Sequence, residues 1–165
     1  APAEPLAIDA AAAARNGPGR LFGVCWRQWR AERALAGRGV RFRSTDPGVV
    51  ADAYAAMSPD EFEAVNGRQE WANWRTVPAA LSGRVPDRPL RVIDLGCGTG
   101  TSTRVLAFYC PAGSEVVGYE PARPLVERAR RRPYLHASGR TATVRFVPQA
   151  ATDPWRRPDG SPVPA

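Results

Sequence analysis

The feature that most constrains the fold is a run of alternating glycines directly after a short apolar stretch. Residues 91–95 predict a short buried strand, Gly96, Gly98 and Gly100 follow it, and residues 101–109 predict a helix. This order places a crevice at the carboxyl end of the strand, where open α/β sheets bind ligands. Glycines allow a tight turn and a close approach of bare backbone, while the helix N-terminus offers free N–H groups.

The spacing of the loop distinguishes two classes of nucleotide site. The dinucleotide fingerprint G-x-G-x-x-G/A would need Gly or Ala at position 101, where Thr101 stands. The observed pattern is D-x-G-x-G-x-G, which resembles motif I of the class I, Rossmann-like S-adenosylmethionine (SAM)-dependent methyltransferases. In that family the loop wraps the methionine and ribose of SAM. The resemblance therefore implies SAM as the cofactor, with contacts from Asp94, Gly96, Cys97, Gly98, Gly100 and Thr101.

An acid follows the second predicted strand, over residues 115–119. Glu120 lies twenty residues beyond Gly100, and both nucleotide-binding families place a carboxylate there to accept hydrogen bonds from the ribose diol. Glu120 therefore predicts ribose binding without separating SAM from NAD. The alternative is that Glu120 merely precedes a helix starting at Pro121, where an acid favours the helix dipole. We favour the ribose role and include Pro121 in the site.

A third strand is predicted over residues 141–147, because its residues alternate. The methyltransferase family follows this strand with an acid and a small residue that contact adenine. Gln149 and Ala150 occupy that place here, so the resemblance implies adenine contacts from both. An amide can still donate and accept toward an adenine edge. Asp153, four residues on, is the alternative stand-in for the missing acid.

The predicted fold class is α/β, an incomplete Rossmann-like parallel sheet with strands 1–3 of the family's seven, preceded by a helical region. The predicted segments are a disordered N-terminus at 1–19, a helical region at 20–82, a SAM-binding half-domain at 83–155 and a Pro-rich tail at 156–165. The family's fourth strand ordinarily carries the next motif, and no residues of this sequence match it. The first strand would therefore be an exposed edge, open to self-association or to a partner chain. A truncated product, a piece completed by another chain and a degenerate relic all remain open.

The helical region is predicted from periodicity and caps. Over residues 20–36, Phe22, Trp26 and Trp29 share a helical period with arginines facing away, which predicts a stripe packed on the sheet. Basic residues between aromatics also suit RNA or a membrane surface, which we favour less.

Helix starts follow at Asp46-Pro47 and at the Ser58–Glu61 capping box, and a last helix is predicted from 68 to about 81. The family resemblance allows four side chains of these helices to approach the ligand, although core packing is the favoured interpretation: Tyr54, Trp71, Trp74 and Arg75.

Composition excludes several other classes of function. The net charge is +7, but the arginines are dispersed, so a nucleic-acid partner is disfavoured. One histidine and three cysteines without paired spacing predict no metal site. No apolar stretch approaches the roughly 18 residues of a membrane span, and nothing in residues 1–20 suggests a secretory signal. Reduced thiols then suggest a cytoplasmic protein.

The resemblance thus implies the SAM-binding half of a SAM-dependent methyltransferase that acts on a small organic acceptor. No motif assigns a catalytic base. The alternatives are a non-catalytic module that binds SAM or a nucleotide and, less favoured, half of an NAD-dependent oxidoreductase. Aminopropyl transferases share the glycine loop, so the transferred group also stays open.

Overall fold

The computed structural model describes residues 17–41 and 44–162, which divide into two compact units. We call residues 17–72 the helical unit and residues 73–162 the sheet unit. The predicted disordered segment lies outside the described residues except for 17–19, where a helix already begins at Pro18. The predicted boundaries at 82/83 and 155/156 stay predictions.

The helical unit consists of α1 (Pro18–Gly37), α2 (Pro47–Ala55), α3 (Pro59–Val65) and the first part of α4 (Gly67–Leu81). Both predicted caps are present. The Asp46 carboxylate accepts from the backbone N–H of Gly48 at 2.8 Å. Ser58 Oγ accepts from the N–H of Glu61, whose carboxylate in turn accepts from the N–H of Ser58. These bonds satisfy helix-start donors that would otherwise lack partners.

The core of the helical unit corrects the predicted face of α1. Its buried members are Leu35, Ala53, Met57 and Val65, and α1 packs against α3. The predicted aromatic stripe is exposed instead: Phe22 is 79%, Trp26 53% and Trp29 45% accessible. The helix buries the opposite side, where Gln28 has both its oxygen and its nitrogen bonded, to Arg68 and Glu32. Helical spacing predicted the helix but selected the wrong side.

The sheet unit has three parallel strands in the order β1 (Arg91–Leu95), β2 (Glu115–Tyr119), β3 (Thr143–Val147). Two crossover helices connect them, α5 (Thr101–Tyr109) and α6 (Arg123–Arg130). The register has no slip, since Arg91 lies opposite Glu115 and Glu115 opposite Thr143. All three strands therefore end at the same edge of the sheet. This confirms the predicted incomplete Rossmann-like fold preceded by helices.

One face of the sheet packs its side chains against the crossover helices. The cluster joins residues of the strands, of α5 and α6 and of the connecting loops: Cys97, Ala107, Val116, Val126, Ala129, Tyr134 and Phe146. On the opposite face Val117, Tyr119 and Val147 form a smaller cluster. Trp155 covers part of it, with its ring centroid 5.4 Å from that of Tyr119.

The first strand has one open edge. Among the described strands, β1 pairs with β2 alone. Ile93 and Leu95, on the face away from α5 and α6, are 48% and 50% accessible. Exposed apolar side chains beside unpaired backbone groups favour pairing with further polypeptide. The open sheet agrees with the prediction that the first strand is an exposed edge. Self-association or a partner chain at this edge stays a prediction.

Candidate functional site

The loop between β1 and α5 is built from left-handed backbone. Gly96, Gly98 and Gly100 have φ values of 66°, 53° and 80°. Other residues adopt this conformation at a cost of about 1–2 kcal/mol each, so three glycines in five positions indicate a conformation that the sequence specifies. The N–H groups of Gly96 and Cys97 both donate to the carbonyl of Tyr119, which ties the loop to the end of β2.

The first and last of these glycines differ in their surroundings. A Cβ on Gly100 would collide with the Tyr134 hydroxyl and lie 3.2 Å from Cβ of Ala129. A Cβ on Gly96 would meet nothing within 4 Å. Gly100 is therefore required by packing behind the loop, whereas Gly96 lines open space on the side where a ligand can approach.

The side chain of Asp94, near the end of β1, is hydrogen-bonded to the first turn of α5. One of its oxygens, Oδ2, accepts from Ser102 Oγ at 2.8 Å and from Thr103 Oγ1 at 2.6 Å. The side chain is buried, and burial raises the pKa of the carboxyl above its usual value despite the two hydroxyl bonds that lower it. The carboxylate thus fixes the helix N-terminus that follows the glycine loop.

Glu120 links the ends of the first two strands. Its Oε2 accepts from the N–H of Gly98 at 3.2 Å, and its Oε1 accepts from the N–H of Ala122 at 2.9 Å. The side chain is 8% accessible. A carboxylate offers about four lone-pair positions, so capacity remains for two further donors such as a ribose diol. Both of the roles weighed for Glu120 are thus compatible with its geometry, because Ala122 is the N-cap residue directly before α6.

The side chain of Cys97 lies in the core. Its Sγ packs where a Cβ on Gly118 would stand, at 2.7 Å from that position. Burial, with the negative charges of Asp94 and Glu120, raises the pKa of this thiol far above its usual range. Only the backbone of Cys97 is therefore offered to a ligand. Thr101 is half-buried in the first turn of α5, and Pro121 is exposed after Glu120.

The amide of Gln149 is already bonded within the chain. Its Nε2 donates to the carbonyl of Pro154 at 2.8 Å and to that of Asp153 at 3.3 Å, and its Oε1 accepts from the N–H of Arg156. The Asp153 carboxylate accepts from the N–H of Ala150. An adenine contact from Gln149 therefore requires exchange of one of these bonds, and the predicted contacts of Gln149 and Ala150 stay predictions.

Sequence reasoning missed the residues that support the loop from behind. Ser102 and Thr103 hold Asp94, and Tyr134 donates to the carbonyl of Ala129 at 2.8 Å while filling the space behind Gly100. Gly118 was a signal for a different contact, since a glycine inside a strand marks a close approach by another group, here Cys97 Sγ and the Phe146 ring. Within the loop, Thr99 is fully buried and its hydroxyl has no partner among the described residues.

Trp74, one of the four side chains predicted near the ligand or in the core, is buried. Its ring meets those of Phe108 and Tyr109 edge to face, at centroid distances of 5.5 and 6.2 Å. The Arg104 guanidinium lies 5.4 Å from its centroid. Tyr54 packs against Phe62 in the helical unit. These contacts are those of core residues.

The described residues contain neither a cluster of metal ligands nor a helix that could span a membrane. Across residues 17–41 and 44–162, no group of three His, Cys, Asp or Glu side chains is placed to hold a metal ion. None of the helices described is long and apolar enough to cross a bilayer.

Three parallel strands in this order, a glycine loop after the first and an acid after the second are the arrangement found in the SAM-binding part of class I, Rossmann-like methyltransferases. Comparison with known proteins confirms that resemblance. The chain is 40% identical over 81 residues to a trans-aconitate 2-methyltransferase of Methylobacterium radiotolerans, covering 48% of this chain and 31% of that protein. It is 43% identical over 65 residues to the trans-aconitate 2-methyltransferase of Methylobacterium nodulans, covering 38% of this chain and 25% of that protein.

The similarity thus covers less than a third of the length of these relatives. No protein-family model and no solved structure matches the chain.

Proposed function

We propose that the sheet unit binds SAM and that the protein is a SAM-dependent methyltransferase. The observation that carries this proposal is the hydrogen bond from the Gly98 N–H to the Glu120 carboxylate. It brings the glycine loop after β1 and the acid after β2 together at one end of the sheet. The similarity to two methyltransferases supports the same function.

The residues present fit the donor. Gly96 leaves open space on the ligand side of the loop, and Glu120 retains lone pairs for the ribose hydroxyls. When bound, SAM supplies a methyl group on a positively charged sulfur. The loop backbone from Gly96 to Gly100 would hold the methionine and ribose, and Glu120 would orient the sugar.

The charge at this end of the sheet favours SAM over NAD. Two buried acids, Asp94 and Glu120, stand beside the loop, and their negative charge is one cause of the raised pKa of Cys97. Asp94 is bonded to the first turn of α5, so it opposes the binding of another anion at that helix N-terminus. A negative site suits the positive sulfonium and disfavours a pyrophosphate.

The acceptor is proposed to be a small organic acid, because both relatives are named for methyl transfer to trans-aconitate. The contribution of the protein to such a transfer is to hold donor and acceptor in line. The proposed SAM site would supply the donor side of that geometry.

The test compares glycines that share a conformation. Gly96→Ala should weaken binding of S-adenosylhomocysteine at least tenfold in calorimetric titration, because a methyl group then occupies the ligand side of the loop. Gly139→Ala is the matched control, since Gly139 has a similar φ of 79° and open surroundings away from the loop. Glu120→Gln should also weaken binding. Unchanged affinity in both Gly96→Ala and Glu120→Gln would contradict the proposed donor site.

A binding module without catalysis is the second candidate, favoured by the open edge and exposed side chains of β1. Transfer of labelled methyl from SAM to trans-aconitate or to related organic acids separates the two. Saturable S-adenosylhomocysteine binding together with no transfer to any acid would support the module.

A further inference from the structure

A groove at the carboxyl end of β3 gathers three arginines around a volume of about 430 Å³. Arg130, the last residue of α6, lines it together with Arg156 and Arg157. Of the residues that the structure describes, Asp153 is the single acidic one lining it, and its carboxylate already accepts from the N–H of Ala150. The remaining lining includes backbone and side chains of three prolines: Pro148, Pro154 and Pro158.

The groove faces the outer side of the sheet, away from β2. The carbonyl of Val147 accepts from the Glu120 N–H, so it points toward β2. Carbonyls alternate in direction along a strand, and the Phe146 carbonyl therefore points outward. Arg130 Nη2 donates to that carbonyl at 3.1 Å, which places its guanidinium along the free edge of β3.

Arg156 and Arg157 are held in place by hydrogen bonds of their backbone. The N–H of Arg156 donates to the buried Gln149 amide, and its carbonyl accepts from Tyr119 Oη at 2.7 Å. Beyond it the chain turns back on itself, with the N–H of Arg157 donating to the carbonyl of Ser161 at 2.7 Å. Both residues are thus anchored through their backbone, so their side chains extend from fixed positions.

The guanidinium groups retain most of their hydrogen-bonding capacity. Arg156 Nη1 donates to the Gly160 carbonyl at 3.1 Å, and Arg157 Nη1 contacts Ser161 Oγ at 3.4 Å. Each guanidinium has five N–H donors. Among the described residues, no carboxylate lies within salt-bridge distance of Arg156 or Arg157, although the charge of Asp159 interacts with that of Arg157. Arg130 pairs with Glu127. Planar donors of this kind match carboxylate and phosphate oxygens in pairs.

We propose that this groove is a second binding site, separate from the glycine loop, for a small anion with two or more carboxylate or phosphate groups. Arg156 and Arg157 bind one acidic group of the ligand, and Arg130 neutralises another. The volume accommodates a molecule of the size of a tricarboxylate. The site does not depend on SAM binding, so it stands or falls separately from the proposed function.

The test titrates the 165-residue chain with citrate, with inorganic phosphate and with acetate at constant ionic strength. Citrate should bind saturably, at least tenfold more tightly than acetate, because it presents several acidic groups. Phosphate distinguishes the two chemistries: tighter binding than citrate assigns the groove to phosphate groups, and weaker binding assigns it to carboxylates. Absence of saturable binding for all three anions would overturn the proposal.

Variants locate the binding. Arg156→Gln and Arg157→Gln should each weaken binding of the preferred anion at least fivefold, and the exposed Arg88→Gln, which lies outside the groove, should leave it unchanged. Circular dichroism verifies the fold of each variant. If a Gln variant fails to fold, Arg156→Lys and Arg157→Lys serve instead, since they retain the charge and lose the paired donors. Equal effects of Arg88→Gln and the groove variants would contradict a localised site.

Discussion

The two units of the molecule place their large aromatic side chains differently. In the sheet unit Trp74 is buried among other rings, and Asp94 and Glu120 are buried with partners on the loop and on α5. In the helical unit Trp26 and Trp29 stack on each other at 5.0 Å while remaining about half exposed. The comparison teaches that close packing and specified backbone geometry concentrate around the glycine loop, where we place the donor site.

The largest expected effect is at Gly100. Gly100→Ala should lower the free energy of unfolding by about 3–5 kcal/mol, because left-handed strain adds to a collision with Tyr134. Gly139→Ala has the same backbone strain without the collision, so about 1 kcal/mol is expected. Urea denaturation followed by circular dichroism measures both. Equal losses in the two variants would mean that packing behind the loop contributes nothing.

The second largest effect is expected for Trp74→Ala. It should lower the free energy of unfolding by about 3 kcal/mol, since it removes a buried ring and leaves a cavity beside Phe108 and Tyr109. Trp74→Phe is the conservative partner and should recover more than half of that loss. A Trp74→Ala variant as stable as the parent chain in the same denaturation experiment would show that this ring is not part of the core.

Asp94 predicts a dependence of stability on pH. Because burial raises its folded-state pKa above the ordinary value of 3.8, the folded chain holds this proton more tightly than the unfolded chain. The resulting stability is present below pH 3.8 and is lost as the pH rises through the folded pKa. Asn does not ionise, so the stability of Asp94→Asn lacks this dependence on pH. The stability of the parent relative to Asp94→Asn should therefore be greater at pH 4 than at pH 7, and the reverse order would contradict the assignment.

The smallest effect is expected on the exposed face of α1. Trp26→Ala removes a ring that is 53% accessible, together with its stacking on Trp29. It should lower the free energy of unfolding by about 0.5–1 kcal/mol. Thermal unfolding with matched protein concentrations is sensitive enough to detect it. A loss as large as that of Trp74→Ala would remove the contrast between the two units.

Local chemistry made much of the fold predictable. The bounds of β2 follow from an apolar run between a turn and an acid, and the start of α3 follows from the Ser58–Glu61 box. The glycine loop follows from spacing alone, because alternating glycines leave the chain few other conformations at the end of a strand. Each of these signals lies within a few neighbouring residues.

Tertiary contacts account for what the sequence did not reveal. The buried side of α1 is selected by Leu35 and by the bonds of Gln28 to a residue forty positions away. Likewise, the position of Gln149 after β3 did not indicate that its amide is bonded to residues 154 and 156. Spacing along one element carries no information about which distant segment returns to it.

The central claim is that the glycine loop and Glu120 form a SAM site. The most direct test is calorimetric titration of the 165-residue chain, verified as folded by circular dichroism, with S-adenosylhomocysteine and in parallel with NADH. We expect saturable binding of S-adenosylhomocysteine and none of NADH. Binding of NADH alone, or of neither ligand by the folded chain, would contradict it.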